Sequence, residues 1–212
     1  MHNATKYGVL LAVLAMFAVP TAGLTQPATG KLSVDLRGGV AIPAGELADI
    51  TDVGGTAGAS LLWNFHPNWA LRADFDYMLL DDGADDFGFL LSPPLDHMFY
   101  GGSIEVNFNG PRLQSYAITF MLNIGAGAMN MKVDDTFSPG HPANEFDHTY
   151  FAFQGGMKIG YQLRPWINLF VNGTTYLTLV KSGDTSVFPL PDTFDHTWLI
   201  PVTAGVRLTF FR

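Results

Sequence analysis

The stretch Trp69-Ala-Leu-Arg-Ala-Asp-Phe-Asp-Tyr-Met-Leu79 alternates apolar and polar side chains with a period of two residues. The apolar set consists of Trp69, Leu71, Ala73, Phe75, Tyr77 and Leu79. The opposite set consists of Ala70, Arg72, Asp74, Asp76 and Met78. Because a helix repeats every 3.6 residues, this pattern excludes a helix here and predicts a β-strand with one apolar face and one charged face.

Similar alternation recurs along the chain. The predicted strands cover residues 31–42, 56–65, 69–79, 97–109, 115–131, 148–162, 166–180 and 196–211. Short and long connections alternate along the chain. The short ones contain proline and lie at 66–68, 110–112 and 163–165, and the long ones lie at 43–55, 80–96, 132–147 and 181–195. Proline fixes φ for a turn and cannot donate to a β-ladder. Pro201 lies inside the last strand, where it predicts a bulge.

Eight charged residues share the face opposite the apolar one. They are Asp35, Arg37, Arg72, Asp74, Asp76, Glu105, Lys158 and Arg207. Four are acids and four are bases, so their charges cancel. Charges enclosed in a narrow barrel must be paired, since an isolated one loses several kcal/mol of hydration. We therefore predict that this face lines the lumen, with Asp35 and Arg207 paired where the first and last strands meet.

The apolar face is predicted to contact lipid. It carries aromatic residues near both ends of the strands, as expected at two membrane interfaces. A water-soluble barrel of the lipocalin kind would instead place its charges outside and its aromatics inside. The sequence thus predicts an all-β fold, an eight-stranded antiparallel up-and-down transmembrane β-barrel. Above the charged belt, the predicted inner residues are Met78, Met129, Met131, Tyr150, Tyr176 and Thr178.

Composition limits the remaining possibilities. Lys6, the apolar run 7–19 and the small residues of 20–23 predict a cleaved signal peptide over 1–23, which leaves 24–212 as one barrel domain. The chain has no cysteine, which excludes disulfides and thiolate metal sites. Its net charge of −8, or −9 without Lys6, argues against nucleic-acid binding.

The long connections are strongly acidic. Fifteen of the 19 acids lie there, and only Lys132 and Lys181 offset them. Flexible acidic loops can associate with divalent cations or with a basic partner. The run Asp81-Asp82-Gly83-Ala84-Asp85-Asp86 lacks the spacing of a calcium-binding loop. We expect these loops to be extracellular and solvated.

Three segments carry a family resemblance. They are Gly38-Gly-Val-Ala-Ile-Pro-Ala-Gly45, Asn64-Phe-His-Pro-Asn-Trp69 and Gly205-Val-Arg-Leu-Thr-Phe-Phe-Arg212. With these the chain resembles the OmpA-like outer-membrane β-barrels, the outer membrane protein beta-barrel domain family. The resemblance implies a place in the cell outer membrane among lipid and lipopolysaccharide, and insertion by the barrel-assembly machinery. It also implies adhesive, structural or narrow-pore roles.

Three histidines at the loop end of the barrel are the candidates for chemistry. His97, His148 and His196 each follow an aspartate where a strand returns from a long loop, and such pairs can bind zinc or copper. Their spacing provides no short chelate, so we expect a solvated rim, no metal and no cofactor. A lipid-directed hydrolase needs a serine and a histidine on the lipid side, but Ser103 is predicted to face the lumen.

These observations favour a non-enzymatic outer-membrane barrel with a plugged ionic lumen and acidic loops. Its predicted role is in envelope structure or surface interaction. An eight-stranded barrel is just wide enough for side chains to fill it, so a wide channel is excluded. A narrow pore or a small-ligand-binding barrel remains the alternative, followed by a lipid-directed hydrolase.

Overall fold

The computed structural model describes residues 30–49, 51–82, 95–108, 118–133, 147–180 and 196–210. They form a closed barrel in which each strand pairs antiparallel with its neighbours in the sequence. The strands are β1 (Lys31–Ala44), β2 (Thr51–His66), β3 (Trp69–Asp82), β4 (Leu95–Asn107), β5 (Ile118–Val133), β6 (Asp147–Arg164), β7 (Ile167–Leu179) and β8 (His196–Phe210). The predicted fold class is therefore confirmed.

The barrel closes where β1 meets β8. Their register runs from Leu32 opposite Phe210 to Ala44 opposite Trp198, without a shift. Among the described residues, no helix is both long enough and apolar enough to cross a membrane. The predicted signal peptide, 1–23, lies outside the described residues.

The first predicted long connection is much shorter than expected. β1 continues through Pro43, and β2 begins at Thr51. Between them lies a short 3₁₀ helix, Gly45–Asp49, whose Leu47 side chain is buried against the inner wall. The Thr51 hydroxyl donates a hydrogen bond to the Leu47 carbonyl at 2.9 Å. Gly45 begins the helix with φ of 64°, a conformation that favours glycine. The other long connections lie largely outside the described residues.

The bulge predicted at Pro201 is not found. β8 keeps a constant register with both neighbours, and Pro201 lies opposite Ala41 on β1. On the β7 side, pairing stops between Gly173–Val202 and Tyr176–Leu199. A proline has no N–H to donate, so the ladder is interrupted there without insertion of an extra residue.

The outer wall of the barrel is apolar. Large side chains such as Leu71, Phe75 and Ile124 point outward, and Ile124 is 74% exposed. Exposed aromatics lie towards both ends of the strands: Trp63, Phe65, Trp69, Phe108, Trp166 and Phe210 near the short turns, and Tyr100, Phe151 and Trp198 nearer the other end. A continuous apolar wall of this kind requires an apolar surrounding.

Candidate functional site

The eight charged residues singled out in the sequence have buried side chains on the inner face of the barrel. None of them is more than 8% exposed. They come from β1, β3, β4, β6 and β8, and their side chains meet in two connected clusters towards the end with the short turns. We call this set of eight residues the ion network.

The first cluster is built around Arg207. Arg207 lies directly opposite Asp35 across the β1–β8 seam. Its Nε and Nη2 donate to the two Asp35 carboxylate oxygens at 2.6 and 2.8 Å. Its Nη1 and Nη2 also donate to the Glu105 oxygens at 2.7 and 2.9 Å. One guanidinium thus joins two carboxylates in a two-pronged geometry that suits arginine and not lysine.

Lys158 completes the first cluster. Its Nζ donates to Asp35 at 2.5 Å and to Glu105 at 3.1 Å. The same ammonium lies 4.5 Å from the centre of the Phe170 ring, a distance that allows a cation–π interaction. Lys158 and Arg207 therefore share the same two carboxylates, which leaves no net charge in this cluster.

The second cluster joins β1 and β3. Arg37 donates to both oxygens of Asp76, at 2.8 and 2.6 Å, and also to the Ser60 hydroxyl. The Tyr176 hydroxyl donates to the same carboxylate at 2.5 Å. Asp76 is thereby bound by a charged partner and by a phenol from the opposite wall of the barrel.

Arg72 connects the two clusters. It donates to Asp74 at 2.6 Å and to Glu105 at 3.1 Å. Asp74 also accepts hydrogen bonds from three uncharged side chains: Ser60, Ser103 and Gln154. Charges removed from water are tolerated when they are paired and most of their remaining hydrogen-bonding sites are filled. This holds here, with Arg72 Nε as a buried donor that has no partner.

Some residues of this site were missed by the sequence analysis. Ser60 and Gln154 lie on the inner face, so the alternation could have identified both. Gly58 could not have been identified in this way. It lies directly opposite Asp76, and a Cβ at this position would collide with the Asp76 carboxylate. A glycine here leaves the room that the Arg37–Asp76 pair occupies.

Above the ion network, the lumen is filled by apolar side chains. The cluster includes Met78, Phe99, Met129, Met131, Tyr150 and Tyr176. Met78, Phe99 and Met129 are completely buried, and the Phe99 and Tyr176 rings lie 4.6 Å apart. Thr178, also predicted to face inward, is buried as well.

The three histidines do not share one face. His97 is buried inside the barrel and His148 is partly buried, whereas His196 is exposed on the outer side beside Trp198. The three side chains therefore do not come together at the rim, because alternation along β8 directs His196 away from the lumen. Among the described residues, no group of three histidine, aspartate or glutamate side chains is placed to hold a metal ion.

Comparisons with known proteins identify the fold. No protein-family model and no curated protein matches the chain. Several solved structures do match. Neisserial surface protein A is 13% identical, with a TM-score of 0.62 over 84% of this chain and 97% of that one. The N-terminal β-barrel domain of Pseudomonas aeruginosa OprF is 10% identical, with a TM-score of 0.52 over 86% and 98%.

The attachment invasion locus protein Ail of Yersinia pestis is a third example. It is 11% identical, with a TM-score of 0.52 over 86% of this chain and all of that one. At these identities the likeness establishes the fold alone: a closed eight-stranded antiparallel β-barrel. The apolar outer wall of this chain requires a lipid surrounding, and the cell outer membrane is where barrels of this type are found.

Proposed function

We propose that this outer-membrane barrel is closed by its ion network and acts without catalysis, in envelope structure or in surface interaction. The observation that carries the proposal is that the network crosses the full width of the lumen. Arg207 on β8 binds Glu105 on β4, and Tyr176 on β7 binds Asp76 on β3. In a closed barrel of eight strands, both pairs join opposite walls.

A filled interior also follows from the size of the barrel. Eight strands enclose a space that side chains can just fill. Gln154 on β6 reaches Asp74 on β3, and Lys158 reaches Asp35 on β1, so further bonds run between walls that are three strands apart. The apolar side chains above the network are buried, which supports a plug over the alternative of a narrow pore or a small-ligand pocket.

Single-channel recording in planar bilayers tests the plug. We expect the native barrel to give, at most, small and rare conductance steps. The double variant Glu105→Ala/Arg207→Ala removes the Arg207–Glu105 pair across the lumen, together with the other bonds of both side chains, while keeping the network neutral. It should open more often. Leu71→Ala, on the outer wall, is the matched control and should behave as the native protein does. A steady large conductance of the native barrel would contradict the proposal, as would a double variant indistinguishable from it.

A non-enzymatic role is supported by the position of Ser103. A lipid-directed hydrolase would need its nucleophilic serine on the outer wall, beside a histidine. The Ser103 side chain is buried in the lumen, and its hydroxyl donates to Asp74 at 2.7 Å. This hydroxyl is therefore bound to the ion network through Asp74.

Surface interaction would take place at the end of the barrel with the long connections. Acidic residues of the strand ends there include Asp52, Asp81, Asp96 and Asp147. Asp52 lies directly opposite Asp81 in the sheet, and such like charges repel unless a cation lies near them. Glu46 and Asp49, in the 3₁₀ helix, and Asp82, at the end of β3, lie at the same end of the barrel. The loop acids between 83 and 94, 134 and 146, and 181 and 195 lie outside the described residues. This charge favours divalent cations and basic partners.

Further proposed partners are components of the membrane and the machinery that inserts barrels into it. The outer wall would contact lipid and lipopolysaccharide, and the barrel-assembly machinery would insert the chain.

The Ail barrel has been solved in complex with the heparin analogue sucrose octasulfate. The acidic loop end of the present chain favours ligands of the opposite charge.

Binding to a cationic surface tests the surface role. Proteoliposomes carrying the barrel with its loops outward should bind to polylysine-coated beads at low salt. The binding should weaken strongly at about 0.5 M salt, because screening shortens the range of the attraction. The variant Asp52→Asn/Asp81→Asn should bind less well, whereas Asp35→Asn, in the buried network, should bind like the native protein if it inserts. Equal binding of proteoliposomes to heparin-coated beads would contradict a charge-selected partner.

A further inference from the structure

His97 is a buried polar side chain of the lumen that makes no contact with the ion network in the hydrogen bonds described. His97 on β4 is 1% exposed, and neither ring nitrogen makes a hydrogen bond among the described residues. The backbone carbonyl of Leu95 acts on the ring from nearby, but without hydrogen-bond geometry. Burying an imidazole without hydrogen-bond partners is unfavourable. An imidazole retained in this state therefore indicates a ligand that the ring binds.

Two methionines flank this imidazole in the sheet. Met78 on β3 lies directly opposite His97 on one side, and Met131 on β5 lies directly opposite on the other. Both are buried with their side chains in the lumen, at 0% and 4% exposure. Residues directly opposite in a sheet have Cβ atoms about 4.5–5.5 Å apart. The register therefore places a thioether, an imidazole and a second thioether side by side on one inner wall.

We propose that Met78, His97 and Met131 form a binding site for a soft monovalent metal ion, Cu(I) or Ag(I). Thioether sulfur is a soft ligand that favours Cu(I), and imidazole nitrogen also suits copper. Zinc, calcium and magnesium would need thiolates, carboxylates or several imidazoles, and this group of three offers one imidazole. Because all three ligands are neutral, a singly charged ion introduces less charge into this apolar region than a divalent one does.

The surroundings of the site fit this assignment. Both ring nitrogens are without a hydrogen-bond partner among the described residues, so the unprotonated nitrogen of the neutral imidazole keeps its lone pair available as a ligand. Unbranched methionine side chains are adaptable enough to turn their sulfur atoms towards an ion. The site lies near the acidic end of the barrel, where Asp96 precedes His97, so cations are concentrated near it. Binding exchanges solvent ligands for protein ligands and needs no change of oxidation state.

Silver titration of the refolded barrel in detergent micelles tests the site on the native chain. Methionine methyl signals report on each sulfur separately. We expect saturation at one Ag(I) per barrel, with shifts of the Met78 and Met131 methyls. Met157 is exposed on the outer wall and should not shift. Absence of saturable binding, or equal shifts at Met157, would overturn the proposal.

Variants test the histidine. His97→Leu should lower the affinity for Ag(I) at least about tenfold, the loss seen even when an outer-shell partner of a metal site is removed. His196→Leu, on the outer face, is the matched control and should leave the affinity unchanged. Heat-modifiable gel migration verifies that each variant is folded, and Met131→Leu replaces His97→Leu if the latter does not fold. Unchanged silver affinity in the folded lumen variant, or zinc binding as tight as silver binding, would overturn the proposal.

Discussion

Replacing Arg207 with methionine is expected to lower the free energy of unfolding by about 3–5 kcal/mol. Arg207 binds both Asp35 and Glu105 inside the barrel. After the substitution, only Lys158 and Arg72 would remain to balance these two carboxylates. Removing one partner of a buried ion pair is costly because the other charge is left without compensation in a poorly solvated region. Urea unfolding of the barrel in lipid bilayers measures this loss.

Two further variants define the cause. Arg164→Met removes an exposed arginine at the end of β6 and should change the stability by about 0.5 kcal/mol or less. The double variant Asp35→Asn/Arg207→Met removes one charge of each sign, and it should be more stable than Arg207→Met alone. If Arg207→Met cost no more than Arg164→Met, the buried pairing would be contradicted.

The second large effect is expected on the outer wall. Ile124→Arg should lower the free energy of unfolding by about 2–4 kcal/mol when the barrel is in a bilayer. Ile124 lies near the middle of β5 and is 74% exposed on the outer side. An arginine there would face the centre of the hydrocarbon layer, where a charged group is poorly solvated. Reversible unfolding from vesicles, followed by tryptophan fluorescence, gives the value.

Depth in the membrane provides the control for this experiment. Leu32→Arg alters another exposed apolar residue, which lies at the start of β1 near the short turns. Its cost should be about 0–1 kcal/mol, because the arginine can reach the interface. In a water-soluble barrel both substitutions would be exposed surface changes of small effect. Equal small costs at the two positions would therefore contradict lipid contact along the middle of the wall.

Much of the fold could be predicted because strand alternation is a local property. Each apolar residue of the stretch beginning at Trp69 specifies a face without reference to the rest of the chain. The sequence over 43–55 predicts a long connection because proline and glycine, as at Pro43, Gly54 and Gly55, are typical of turns. In the structure they extend β1 and β2, and Leu47 packs into the lumen between them. Pro201 likewise interrupts pairing without a bulge.

Partner choice inside the lumen was predictable only at the closing seam. Asp35 and Arg207 are near neighbours once β1 and β8 pair, so topology alone brings them together. By contrast, the bonds from Arg207 to Glu105 and from Tyr176 to Asp76 depend on long side chains that cross the barrel. Their reach depends on the three-dimensional width of the lumen, and sequence spacing does not encode this distance.

The central claim is that the apolar face meets lipid while the charged face is enclosed. Nuclear Overhauser contacts between lipid acyl chains and side-chain methyl groups, measured on the refolded barrel in nanodiscs, test it directly. We predict acyl-chain contacts for Leu71, Ile104 and Ile124, and none for Met78 or Met129. Acyl-chain contacts at the two methionines, or water contacts in place of lipid at Ile124, would contradict the account.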